Sequence, residues 1–173
     1  KKYAFPSNFC WPKSLFVLDR CFVKHKCNLK NGKQLIVINT HNSAYDGGEL
    51  KKKEMAYFKQ YIVEEYAKGN YVIVGGDWNQ IPPGYTPLDA NSDYEEMPVP
   101  AGFADAGWTY AFDGKTPSNR KVDFPYEAGK TYTTVIDFFL LSPNIELLEV
   151  KGQPNGFEFS DHQPVKMTCK LKE

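Results

Sequence analysis

The chain has 173 residues, 42% apolar and 15% aromatic, and its 21 basic and 21 acidic side chains leave a formal net charge of zero. That length suits one globular domain, the apolar content argues against disorder, and no stretch approaches the roughly 20 apolar residues of a membrane-spanning helix. A uniformly basic nucleic-acid binder is disfavoured too, because affinity for a phosphate backbone rests on neutralising its charges.

The sequence opens Lys1-Lys2-Tyr3, with neither Met nor a signal-type apolar run, so a piece of a longer protein is expected, with any leader or anchor lying upstream. Residues 1–53 carry eleven Lys and Arg against Asp19, Asp46 and Glu49, and the rest of the chain carries the balancing acidic excess. A solvated strand face and a Lys-rich helix start account for that surplus, with a basic surface toward a phosphorylated substrate as the alternative. Residues 15–28 read as a strand in which Cys21, Val23, Cys27 and Leu29 alternate with polar positions. Cys10, Cys21, Cys27 and Cys169 form no CxxC pair, which disfavours a zinc ribbon or redox motif and leaves packed thiols as the simplest account, a disulfide remaining open. Asn31-Gly32 predicts a type I′ hairpin into a buried strand at 35–39.

Asp46-Gly47-Gly48 then breaks the chain before a predicted helix at 49–67, where Leu50, Glu54, Phe58, Ile62 and Tyr66 recur at helical spacing and Lys68-Gly69-Asn70 supplies the stop. Residues 71–74 predict a strand parallel to 35–39, completing a β-α-β unit. Residues 81–102 form a Pro- and Gly-rich loop with an acidic patch at 93–96, long enough to imply function or mobility. Buried strands follow at 134–141 and, half-exposed, at 165–171.

Polar residues sit at the ends of these apolar runs. The strand at 35–39 leads into His41, the strand at 71–74 into Gly75-Gly76-Asp77-Trp78-Asn79, and Ser160-Asp161-His162 precedes the last strand; Asp137 lies inside the run 134–141. A carboxylate in an apolar run is costly unless paired or metal-bound, so several near strand ends point to one shared polar pocket. On an extended segment Asp77 and Asn79 would face one side, while Asp161 and His162 would face opposite sides, one toward a cation and one toward substrate. The paired glycines would admit a ligand or a neighbouring backbone. His162 needs an acidic partner to fix its tautomer, and Asp137 is the candidate.

Three motifs in this order, Gly76-Asp77-Trp78-Asn79, Ile136-Asp137-Phe138-Phe139-Leu140-Leu141-Ser142 and Ser160-Asp161-His162-Gln163-Pro164-Val165, resemble those of the endonuclease/exonuclease/phosphatase superfamily. With Asn39-Thr40-His41 they span residues 35–165. The resemblance implies an α/β fold: residues 1–173 as the C-terminal half of a deoxyribonuclease I-like, four-layer α/β/β/α sandwich with a mixed sheet. It implies a Mg²⁺- or Mn²⁺-dependent hydrolase of phosphate esters, a phosphodiesterase or phosphatase in which water attacks phosphorus in line. Asp77 and Asn79 would handle that water, Asp137 and His162 would form a dyad with either Asp77 or His162 as the base, and His41 would stabilise a phosphoryl oxygen or the leaving group. Asp161 would hold the metal, and Asn119 and Arg120, in a segment that reaches the active site of bacterial members, would contact substrate, Arg120 bidentately.

One departure stands out. The family's N-terminal half carries a metal-ligating Glu, usually in a Gln-Glu pair, and this sequence has no such pair. The fragment is therefore expected to be inactive alone, to expose an apolar sheet face and to dimerise through it, with Glu49 and Glu158 the first candidates for a replacement ligand. A phosphorylated small molecule or phospholipid head group is favoured as substrate over DNA or RNA. The rival from another class is a non-catalytic module that binds a phosphate ligand. By the same resemblance the source would be bacterial, at the cell envelope or secreted if an upstream signal or anchor exists.

Overall fold

The structure, a computed structural model, describes residues 1–6, 11–12, 15, 20–44, 48–87, 97–104 and 106–173. The expectations for Cys10, for residues 16–19 of the first strand, for Asp46-Gly47 and for the acidic patch at 93–96 lie outside the described residues. The elements are β1 (Lys2–Ala4), β2 (Cys21–Asn28), β3 (Gln34–His41), α1 (Glu49–Ala67), β4 (Tyr71–Asp77), β5 (Thr109–Ala111), β6 (Asn119–Arg120), β7 (Thr133–Thr134), β8 (Asp137–Leu141), β9 (Ile145–Gly152) and β10 (Val165–Leu171). Six strands form a mixed sheet in the order β1-β2-β3-β4-β8-β5, in which only β3 and β4 are parallel. The predicted β-α-β unit is thus present, and α1 has the expected bounds because its apolar stripe and the Gly69 stop (φ 81°) are local signals.

The hairpin forms, but with a different turn. Gly32 alone takes a left-handed backbone (φ 80°), and Leu29 N–H donates to Lys33 O, so the loop holds the three residues Lys30, Asn31 and Gly32 rather than two. This shifts the register by one residue, pairing Cys21 with His41 instead of Asn42.

The run 134–141 is not one strand. Ile136 N–H and Asp137 N–H both donate to Ser118 Oγ, at 3.0 and 2.9 Å, so the chain leaves the ladder between β7 and β8, and Asp137 opens β8 rather than lying inside it. The strand β9, paired to β10, was hidden in the sequence. Its alternation breaks at Leu147-Leu148, where Leu148 is a bulge: Thr168 pairs with Glu149 and Cys169 with Leu147. Cys21, Cys27 and Cys169 are free thiols, and Cys27 is exposed rather than packed.

One face of the large sheet meets α1. Phe22, Ile36, Ile38, Val72, Val74, Phe138 and Leu140 pack there against Met55, Phe58 and Ile62, with Trp78, Val99 and Phe103 closing the cluster. The β9–β10 ribbon lies on the other face, where Tyr71, Ala111, Leu141 and Ile145 are buried against Leu147, Met167 and Leu171. Cover on that side fades along the strands, where Val37, Ile73 and Phe139 are only partly buried.

Candidate active site

Parallel pairing brings the C-terminal ends of β3 and β4 side by side, with His41 opposite Asp77, and antiparallel β8 brings its first residue, Asp137, opposite Asp77 from the other flank. Close strand approach at this point depends on two glycines. A Cβ on Gly76 (φ 139°) would lie 2.1 Å from Thr40 O, and one on Gly75 would lie 2.7 Å from the Phe139 ring. The glycines therefore make room for β3 and a neighbouring side chain, not for a ligand.

Trp78 anchors the motif. Its ring is fully buried, stacks on Phe138 with centroids 4.8 Å apart, and donates Nε1–H to Phe138 O at 3.1 Å. The chain then turns at Asn79 (φ 49°), so Asp77 and Asn79 meet through a bend and not along an extended strand. Asp77 Oδ1 accepts from Asn79 N–H at 2.8 Å. Asn79 Nδ2 donates to Asp77 Oδ2 at 3.2 Å and to Asn42 O at 2.8 Å. With both amide protons committed, Asn79 presents its Oδ1 as an acceptor.

Asp137 and His162 form the expected contact, with Nδ1 2.7 Å from Oδ2. Ser118, which is buried, donates to the same Asp137 oxygen at 2.9 Å while accepting the two backbone N–H groups at the start of β8. His162 is seated by an antiparallel bridge to Asn119, flanked by Arg120 N–H to Asp161 O (3.0 Å) and Gln163 N–H to Ser118 O (2.7 Å). Its Nε2 lies 3.0 Å from Asn119 Nδ2 and 4.0 Å from Asp77 Oδ2. His41 Nε2 is 3.2 Å from that Asp77 oxygen.

A cavity of about 380 Å³ is lined by His41, Asp77, Asn79, Asn119, Arg120, Asp161 and His162, together with Arg20. Asp161 and His162 thus face one cavity, not opposite sides, because the chain bends there instead of running extended. Arg120 Nη1 donates to its own loop, to Lys121 O at 3.0 Å and Phe124 O at 3.4 Å, which takes up part of the fork that bidentate phosphate binding would need. Glu49 and Glu158 do not line the cavity; Glu49 instead pairs with Lys52 at 2.8 Å on the exposed side of α1.

Arg20 was missed by sequence reasoning. Its Nη1 sits 2.9 Å from His41 Nε2 and 3.1 Å from Nδ1, a placement that follows from the Cys21–His41 pairing and so depended on the hairpin register. Ser118 was missed as well, since a single hydroxyl in a loop carries no periodic signal.

The electrostatics are those of a compact charged centre. Burial, and then the Asp137 charge, push the Asp77 carboxyl above the usual carboxylate range. The hydrogen bond to Asp137 holds His162 above the ordinary imidazole value, whereas burial pulls His41 below it. Among the described residues no group of three or more His, Cys, Asp or Glu side chains is placed to hold a metal ion. Asp161, the expected ligand, lines the cavity.

No protein-family model and no curated protein matches the chain. Solved structures do. The chain superposes over 99% of its length on 45% of an endonuclease/exonuclease/phosphatase protein from Beutenbergia cavernae, with a TM-score of 0.64 and 14% identity. It matches mannosyl-6-phosphatase Bt3783 of Bacteroides thetaiotaomicron (TM-score 0.57, 16% identity, 90% of this chain and 58% of that one). A third match is D. rerio TDP2 complexed with a single-strand DNA product (TM-score 0.61, 14% identity, 99% and 67%). The chain therefore has the α/β, deoxyribonuclease I-like fold of endonuclease/exonuclease/phosphatase proteins, and it spans 45% to 67% of the length of these three.

Proposed function

We propose that this chain is the C-terminal portion of a phosphoesterase domain in which water attacks phosphorus at the cavity between Asp77 and His162. The observation that carries the reading is the convergence of Asp77, Asn79 and His41 from two parallel strand ends with the Asp137–His162 pair. A water between Asp77 Oδ2 and His162 Nε2 could give its proton to either group, and both remain candidates for the base. The Asn79 Oδ1 acceptor would fix the second proton of that water. Asp137, braced by Ser118, would keep the imidazole oriented as it gains or loses its proton. His41 and Arg20 would face the phosphoryl oxygens or the leaving group, with Asn119 and Arg120 on the opposite wall.

Asp161 is the carboxylate of this cavity that would hold Mg²⁺ or Mn²⁺, with water and substrate phosphate oxygens completing the shell, and the ion would neutralise charge on the phosphoryl group. A phosphorylated small molecule or phospholipid head group suits a cavity of about 380 Å³ in a chain without net charge better than a DNA or RNA strand does. The partly covered sheet face supports the fragment reading, in which the isolated chain would lack activity and pair with a second copy.

The test is turnover by the full-length protein, with added Mg²⁺ or Mn²⁺, of bis-p-nitrophenyl phosphate, a hexose 6-phosphate, phosphatidylcholine vesicles and single-stranded DNA. Hydrolysis of at least one of these, lowered on the order of 10²-fold or more in His162→Ala, is the expected result. Binding of inorganic phosphate without turnover of any of these would favour the non-catalytic module.

A further inference from the structure

Three charged side chains of α1 are buried; Glu65 pairs with Lys24 and Lys68 near the helix C-terminus, and the other two, Lys51 and Glu54, lie toward the site. Lys51 is 5% exposed and Glu54 1%, in company with Leu50, Met55, Phe58 and Ile62. Burying a charge is costly unless specific partners replace its water. Lys51 Nζ donates to Asn79 O at 2.9 Å. Glu54 accepts Ser43 Oγ–H at 2.7 Å on one carboxylate oxygen and Ser43 N–H at 3.2 Å on the other. Both interactions end on the corners that carry the site: Ser43 lies two residues beyond His41, and Asn79 two beyond Asp77.

The corners are themselves tied together. Asn42 N–H donates to Asp77 O at 3.0 Å, and Asn42 O accepts Asn79 Nδ2–H at 2.8 Å. The Asn42 side chain accepts from Thr40 Oγ1 at 2.6 Å and reaches Met55 Sδ at 3.6 Å. Positions 51, 54 and 55 share one helix face, so α1 grips the two corners at three points. Asn79 depends on that grip, because its left-handed backbone (φ 49°), which asparagine adopts more readily than most residues, is held by hydrogen bonds from both corners. With N–H, C=O and both amide protons all bonded, only Oδ1 is left for the cavity.

We propose that Lys51 and Glu54 are positioning residues for the reaction: they fix the Asn79 and Ser43 corners so that Asp77, Asn79 and His41 keep their mutual geometry. The proposal rests on the phosphoesterase reading for its effect on turnover, but not for its effect on Asn79. A misplacement of about 1 Å at a reacting group can cost on the order of 10²-fold. Lys51→Met, which keeps an apolar stem and removes the donor, is expected to lower kcat of the full-length protein by about tenfold or more with KM within about threefold. Lys51→Arg, which restores a donor, should recover most of that loss, and Glu54→Gln should give a smaller fall.

The second readout needs no turnover. In NMR hydrogen exchange the Asn79 side-chain amide should exchange at least about tenfold faster in Lys51→Met, while β3 and β4 backbone amides keep their protection. Unchanged Asn79 exchange would overturn the proposal, as would protection lost across β3 and β4 together, which would make Lys51 a general core residue. Absence of phosphoester hydrolysis by the unsubstituted full-length protein would instead sink the phosphoesterase reading and leave the Asn79 result to judge the positioning role by itself.

Discussion

On the α1 side of the six-stranded sheet, Ile36, Ile38, Val72, Val74, Phe138 and Leu140 are no more than 1% exposed, while their immediate neighbours Val37, Ile73 and Phe139, facing the other way, are all partly exposed. A cavity of about 650 Å³ lies on that second side, between the sheet and the segment from Phe159 to Val165, and Phe159 itself is 80% exposed. The helix face is closed by residues of this chain, with Trp78 and Phe58 at its centre, and it supplies the rigid backing for the Asp77–Asn79 corner. The other face is closed only where β9–β10 reaches, away from the strand ends that bear His41 and Asp77. The difference teaches that the part of the site built on β3, β4 and α1 has a closed core behind it, whereas Asp137 and His162 stand on a face where Ile73 and Phe139 are only partly covered.

If the faces differ as described, Phe58→Ala should destabilise the fold by about 3–5 kcal/mol, against about 1–2 kcal/mol for Phe139→Ala, in urea titrations of the same protein. Equal losses would break the distinction. Next in size, His162→Ala and Asp77→Asn in the full-length protein should each lower kcat on the order of 10²-fold, about 2.7 kcal/mol, with little change in substrate affinity. Near-normal turnover in either would mean that the corner on the closed face and the pair on the open face do not act on one water.

A pH profile sharpens the link between the two regions. Asp77 and His162 both sit above their ordinary values, and Asp137 contributes to each, as a like charge to the first and as a hydrogen-bond acceptor to the second. Activity that requires either group deprotonated rises with pH through that elevated value. Asp137→Asn removes the like charge and the anionic acceptor, lowering both, so the acid limb of kcat/KM should move to lower pH whichever group is the base. A limb that stays put would separate Asp137 from the chemistry. The smallest effect is one of association: residues 1–173 alone should self-associate in sedimentation runs, and Phe139→Glu on the open face should return them to monomer. A monomer before substitution would show that β9–β10 is cover enough.

Much of this was legible before any coordinates. The 3.6-residue recurrence of Leu50, Phe58 and Ile62 and the stop at Gly69 set α1, since helix signals reside within a turn or two of chain. Asp77, Asp137 and His162 stood out because ionisable residues beside apolar runs need partners, and several of them near strand ends suggest one shared pocket. What stayed hidden depended on distant contacts. Whether Asn31-Gly32 closes a loop of two residues or three is a small local difference, yet it decides whether His41 faces Cys21, and so whether Arg20 reaches the site. The Leu148 bulge erased the alternation that marks a strand, and the Ser118 hydroxyl broke a run that looked continuous. Glu54 was visible on the helix stripe, but in sequence Lys51-Lys52-Lys53-Glu54 reads as a solvated start. Composition and periodicity determined the elements and which residues were chemically conspicuous, because both act through near neighbours. Only the tertiary structure could turn two buried charges toward two strand ends, because a charge survives burial solely where partners far along the chain are held to meet it.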